Sequence, residues 1–291
     1  MFPDVPPPLD GVQHTDVQVR RARWHVAIAG EEGAPPLVLL HGWPQHFYAW
    51  RHVIDRLRGE YRIYAPDLRG FGWSDAPGGA YSKMGLATDV VELLDRLELE
   101  TCTLAGHDWG GLVGFLAALR EPERVERLAA FSIIHPWVHL TPPTPGAVVR
   151  ASYQYVLATP YVGELAQKVG GAALQALLRA SSGSGFEWDD EALDLYAGAF
   201  RRGPHARAAS ALYRTFLLRE LPQFVAGRYA NRTLEVPGVL ATGSGDSAVT
   251  PDRLANLERN APNMTTEVLE GAGHWLPEER PDEVAALIRG S

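Results

Sequence analysis

Short apolar runs with strand character alternate, along most of this chain, with segments of helical periodicity. The runs read VQVRRARWHVAIA, PLVLLHG, RIYAPD, CTLAGHD, RLAAFSII, GVLATGSGD and TTEVLEGAGH, and helical spacing is clearest at 84–97, 112–119 and 251–260. Such alternation predicts an α/β fold with a mostly parallel central sheet and helices on both faces. The alternation breaks once. From 137 to 222 the chain is rich in Ala, Leu, Arg and Tyr, with helix-like stretches at 150–157, 163–179, 189–200 and 205–219 and almost no strand signal. A helical block inserted between two strands reads as a cap over the carboxyl edge of the sheet, where such sheets bind ligands. The predicted division is a core of 1–136 and 223–291 with a cap of 137–222.

A chain of 291 residues, 46% hydrophobic, can bury a large core. Its net charge of -8, from 35 acidic and 27 basic side chains, is spread without a basic block, which argues against nucleic acid and anionic membrane as partners. The opening MFPDVPPPLDG lacks the basic-then-apolar pattern of a signal peptide, and no apolar stretch reaches the ~20 residues a membrane helix needs. Cys102 is the only cysteine, so no intrachain disulfide is possible. The expectation is a cytoplasmic protein, monomer or homodimer. No cofactor is expected: the histidines lack the pairing of a zinc motif, and GSGDS and SSGSG lack the Gly-Lys-Ser ending of a phosphate loop.

The stretch LAGHDWGG carries the chemistry. Gly106, Asp108 and Gly110 have the spacing of a strand-to-helix nucleophile elbow, G-x-S-x-G, with a carboxylate in place of the hydroxyl. A lone aspartate after a strand is ordinarily a turn former or helix N-cap. Here glycines flank it at the offsets a tight turn requires, and Gly111 follows. An elbow needs an acid and then a histidine further along the chain. Asp246 in GSGDSAVTP and His274 in EGAGHW each follow a predicted strand, in that order. The bland alternatives are an N-cap of the 251–260 helix for Asp246 and a surface loop for His274. The fourth part is an oxyanion hole, for which the loop HGWPQ after another strand offers the Trp43 N–H, with the Trp109 N–H as its partner. His41 and Gly42 are expected to shape that loop, and a cis bond before Pro44 is open.

These residues resemble the α/β-hydrolase fold family, and within it the aspartate-nucleophile branch of soluble epoxide hydrolases and haloalkane dehalogenases. HGWPQ, PDLRGFGWSD and GHDWGG are similar to that branch's signatures, and the likeness runs from about Asp10 to the end. A carboxylate attacking a saturated carbon gives an alkyl ester, so the electrophile is expected to be an sp³ carbon bearing a leaving group. Water activated by His274, oriented by Asp246, would then hydrolyse the ester on Asp108. In epoxide hydrolases one acid tyrosine begins a cap segment reading Tyr-Gln and the second precedes an arginine. Tyr153-Gln154 with Pro160, and Tyr213-Arg214, resemble these, and a phenol with an ordinary pKa of about 10 suits a departing alkoxide. Tyr155, Tyr161 and Tyr196 read as packing residues.

The resemblance implies a small, neutral, partly apolar epoxide and a diol product. Phe47, Trp137 and Trp188 are the expected pocket residues, and His135 and His139 stand at the start of the cap. Asp67, Arg69 and Asp75 read as loop-holding groups, and His107 as buried support. Dehalogenases that take fluoroacetate place arginines just after the nucleophile, where this chain has Trp109, Gly110, Gly111, Leu112 and Val113. Two alternatives remain open at the level of sequence: a haloalkane dehalogenase using the same aspartate, and a non-catalytic ligand receptor on the same fold.

Overall fold

The computed structural model describes residues 2–138 and 145–290, with the helix backbone alone across 145–151. Strands β1 (Val12–Val19), β2 (Ala22–Ala29), β3 (Pro36–Leu40), β4 (Arg62–Pro66), β5 (Cys102–His107), β6 (Val125–Phe131), β7 (Gly238–Gly243) and β8 (Met264–Leu269) form one sheet. Their order is β1-β2-β4-β3-β5-β6-β7-β8. β1 and β2 pair antiparallel, as do β2 and β4, and every pair from β4 through β3 to β8 is parallel. The run VQVRRARWHVAIA is therefore a hairpin rather than one strand, turning at Arg20, whose φ is 50°.

Helices α1 (Arg51–Leu57), α2 (Lys83–Arg96) and α3 (Trp109–Arg120) connect the first parallel strands. Alternation along the strands explains the two-layer packing. Leu37 and Leu39 of β3 face the core shared with α1, whereas Val38 and Leu40 face the core shared with α2 and α3. A strand buried on both faces has no polar side, which is why PLVLL reads as an unbroken apolar run.

The block between β6 and β7 is helical among the described residues: α4 (Pro145–Ala158), α5 (Val162–Val169), α6 (Gly171–Ala180), α7 (Asp190–Ala199), α8 (Gly203–Thr215), a π-helical turn (Phe216–Glu220) and α9 (Leu221–Val225). The stretch expected at 163–179 is broken at Gly170, which ends α5 and begins α6. Cap side chains such as Leu157, Phe200, Leu212 and Phe216 belong to the same apolar cluster as Leu40, Trp109 and Leu112, so the block is packed onto the core. The chain closes with α10 (Leu276–Glu279) and α11 (Pro281–Arg289).

One predicted helix does not form. The 251–260 segment makes two short 3₁₀ turns, Pro251–Leu254 and Leu257–Arg259. Between them Ala255 is extended and Asn256 is left-handed, with φ 65°, so the periodic apolar residues cannot share one continuous helix. No described helix is long and apolar enough to cross a membrane.

Candidate active site

The site lies where the carboxyl ends of β3, β5, β7 and β8 meet the cap. Asp108 ends β5 with φ 49° and ψ -129°, a strained conformation for a residue with a side chain. Its neighbours make room for it. A Cβ on Gly106 would sit 2.4 Å from the Gly110 carbonyl oxygen, and one on Gly110 would sit 2.3 Å from that of Leu40. A Cβ on Gly42 would lie 2.4 Å from the Asp108 carboxylate itself. Glycine at these positions lets three backbones converge around one side chain.

The loop after β3 is fixed by His41, whose Nδ1 donates to the Gly42 carbonyl at 2.9 Å while Nε2 accepts the Leu68 N–H at 2.8 Å. The Trp43–Pro44 bond is cis. The loop delivers the Trp43 N–H to Asp108 Oδ2 at 2.9 Å, and the Trp109 N–H also reaches the carboxylate. Burial pushes the Asp108 carboxyl up to about 6, against the opposing pull of His274 and these two N–H groups.

His274 Nδ1 donates to Asp246 Oδ2 at 2.8 Å, and its Nε2 lies 4.0 Å from Asp108 Oδ1. Asp246 accepts from the Ala248 and Val249 N–H groups on its other oxygen, so it is a fixed acceptor rather than the cap of a helix. Its carboxyl is held below the usual range: burial works against the charge, but His274 and the two N–H groups outweigh it. Burial opposes charge on His274 as well, yet Asp246, and behind it Asp108, raise the imidazole to about 9. His274 is 6% exposed, so it is no surface histidine. His107 supports it by bonding to the His274 carbonyl at 2.8 Å.

Above Asp108 stand the two cap tyrosines. The Tyr153 ring stacks on Trp43 at 5.8 Å, and Tyr213 meets Trp43 and Trp109 edge-on at 5.3 and 5.7 Å. The two phenols are within hydrogen-bonding reach of each other. Burial, then the charge on Asp108, pushes Tyr153 up to about 12, and burial sends Tyr213 well above its ordinary value. Both are protonated at neutral pH. The Trp109 indole N–H lies near the Tyr213 phenol without completing a hydrogen bond, leaving a buried donor in the site.

The predicted pocket residues fare differently. Phe47 packs against His14, His25 and Trp73 on the α1 face of the sheet, because its own N–H is tied to Asp67 at 2.8 Å. Trp188 packs on Phe186, Tyr196 and Trp275, outside the aromatic group over Asp108. Trp137 bonds to the Arg232 carbonyl and meets Phe115, behind α3. His135 bonds to the Ala255 carbonyl at 3.2 Å, and His139 lies outside the described residues. The aromatic wall is built instead by Phe200 against Trp43, Phe71 against Phe200, and Phe216 against Trp109. Asp67, Arg69 and Asp75 make loop contacts, to the Trp73 N–H, Asp89 and the Arg23 N–H respectively.

Three groups escaped the sequence reading. Gln167 accepts the Trp43 indole N–H at 3.1 Å and donates to the Gly163 and Ala206 carbonyls and to Ser210. Glu279 accepts N–H groups from Gly183, Gly273 and Trp275, bracketing His274. Lys83 is fully buried beside Trp109. None sits in a local motif, and each reads in sequence as a surface polar residue. Among the described residues no group of three or more His, Cys, Asp or Glu is placed to hold a metal ion.

The sheet order, the elbow and the inserted cap define an α/β hydrolase. The family model for the alpha/beta hydrolase fold matches residues 35–281, and the chain belongs to that family. Among curated proteins it is 31% identical over 308 residues to Epoxide hydrolase A of Mycobacterium tuberculosis, covering 94% of each chain. It is 30% identical to human Epoxide hydrolase 4, covering 91% of this chain and 74% of that one. Among solved structures, Cfl2 of Burkholderia cenocepacia superposes with a TM-score of 0.87 at 31% identity, covering 98% of this chain and 97% of the other.

Proposed function

We propose that the chain is a cofactor-independent epoxide hydrolase of the aspartate-nucleophile branch, with 137–222 as its cap. The observation that carries the reading is the placing of one carboxylate between two N–H donors, a histidine-aspartate pair and two protonated phenols. Asp108 Oδ2 is held by the Trp43 N–H, so Oδ1 is the oxygen free to attack. Attack on an epoxide carbon breaks the C–O bond, and the departing oxygen takes a proton or a strong hydrogen bond from Tyr153 or Tyr213. Attack also replaces a buried anion by a neutral ester.

Hydrolysis then falls to His274. The 4.0 Å separating Nε2 from Asp108 Oδ1 is too long for a hydrogen bond. Esterification removes the Asp108 charge that helps keep the imidazole protonated, so its proton passes to the phenolate or alkoxide left by ring opening and Nε2 becomes free to take one from water. The hydroxyl adds to the Asp108 carboxyl carbon, the Trp43 and Trp109 N–H groups hold the oxyanion, and collapse breaks the ester C–O bond. The departing alkoxide takes the proton of the added hydroxyl, leaving a vicinal diol, the Asp108 carboxylate and a protonated His274 as at the start. The aromatic wall of Trp43, Trp109, Phe200 and Phe216 suits a neutral, partly apolar epoxide. The relatives' names agree with this substrate class.

The haloalkane reading draws on the unpaired Trp109 indole N–H, a suitable halide donor. Two paired phenols favour the more basic leaving group. Intact-protein mass of His274→Gln mixed with epoxides and haloalkanes separates the two. Addition of a whole epoxide at Asp108 is the expected result; addition of an alkyl group without its halogen would establish a dehalogenase, and no adduct with either class would end the covalent mechanism.

A further inference from the structure

Lys83, at the start of α2, has no exposed side-chain surface. Its ammonium donates to the Leu212 carbonyl at 2.9 Å, the peptide group directly before Tyr213. It lies 4.1 Å from the centre of the Trp109 ring and 4.8 Å from that of Phe216. Glu220, the last residue of the π-helical turn that follows α8, places one carboxylate oxygen 3.2 Å from the ammonium and accepts the Lys83 N–H on the other at 2.7 Å. A single buried cation thus touches the residue that supplies an oxyanion N–H, the backbone carrying a proposed acid, and the irregular turn behind it. Burial lowers the Lys83 pKa to about 8, with Glu220 and then Asp108 pulling it back, so the site senses this charge.

Stability is a poor reason for such a pair, since apolar residues of similar volume replace buried ion pairs at little or no cost. What it joins is more informative. The core element α2 and the cap element α8 meet at Lys83, and helical turns of π type recur where function needs an irregular backbone. We propose that Lys83 and Glu220 form a latch between core and cap that positions Tyr213 and Trp109 over Asp108 for the ring-opening step. The role in ring opening rests on the epoxide reading above. Lys83 is a positioning residue, acting through Tyr213 and Trp109.

The test uses the full chain carrying Lys83→Met, which keeps the stem and removes the charge. Hydrogen exchange is followed across 209–220, and single-turnover ester formation and ester breakdown are followed with styrene oxide. The expected result is exchange across 209–220 faster by about tenfold, ester formation slowed about tenfold to a hundredfold, and ester breakdown slowed by a smaller factor, since only the Trp109 N–H and not the Tyr213 phenol serves that step. Unchanged exchange overturns the latch. Faster exchange with ester formation unaffected overturns the positioning role and leaves a packing contact. If the wild-type protein forms no ester, the epoxide reading fails on that observation alone and exchange still decides the latch. Should Lys83→Met fail to fold, Glu220→Gln, which keeps the shape of the side chain, carries the same comparison.

Discussion

Asp108 and His274 hold opposite charges 4.0 Å apart in a site that penalises both. As the proposed nucleophile Asp108 must be ionised, and burial has moved its pKa up to about 6, so ester formation is expected to rise with pH through about 6 and then level. His274, as the proposed base, must be neutral. In the free protein Asp246 and Asp108 hold His274 near 9 against burial, and the ester removes the second of those charges. Ester breakdown should therefore rise with pH at a midpoint below 9. Single-turnover rates across pH check both limbs; a breakdown midpoint at 9 or above would contradict the charge-loss argument. At this scale the gathering of Asp108, Asp246, His274 and the Trp43 N–H was legible in sequence, because elbow spacing and chain order are local properties. Gln167, Glu279 and Lys83 were not, because each acts across more than a hundred positions or through backbone groups that no motif records.

The elements around the elbow are spaced by glycine rather than by side chains. Gly110 sets α3 against β3 so closely that an added Cβ would press on two carbonyl oxygens, of Leu40 at 2.3 Å and of His41 at 2.5 Å. Backbone cannot yield cheaply there. Gly110→Ala should cost about 1–3 kcal/mol, the range for overpacking, read as a lower urea midpoint at unchanged slope. Gly78→Ala, where nothing lies within 4 Å of the new Cβ, is the control and should leave the midpoint in place. Element identity was largely legible, since buried parallel strands and amphipathic helices leave different periods. Ends and breaks were less so. The split at Gly170 and the collapse of the 251–260 helix depend on single backbone angles that periodicity does not encode. Phe47 shows the same limit: which face of the sheet an aromatic joins follows from its backbone tie to Asp67, not from its distance in sequence to the motif.

Across the whole molecule, cap and core are joined by buried polar contacts as well as by apolar packing. Arg51 of α1 pairs with Glu278 of α10 at 2.8 Å, and the Tyr196 hydroxyl of α7 donates to the same carboxylate. Burial raises the Glu278 pKa while Arg51 opposes it. Arg51→Met should leave a buried carboxylate without its cation and cost about 3–5 kcal/mol, measured as a fall in Tm. Pairing it with Glu278→Met should recover most of that loss. A drop that persists in the double variant would mean that the arginine stem, not the charge, matters.

The histidine loop has a further dependence. The His274 N–H bonds to the Ser181 carbonyl at 2.9 Å, Trp275 Nε1 bonds to the Leu178 carbonyl at 3.0 Å, and Gly273 is packed against the backbone of 181–183. The residue proposed as base is therefore seated on the end of α6 as much as on β8. An engineer wishing to graft a different cap onto this sheet to change its substrate would have to carry 178–183 across unchanged, or rebuild the seat of the histidine from the new chain. The natural seam for recombination runs inside the cap, beyond Gly183, rather than at its junctions with β6 and β7.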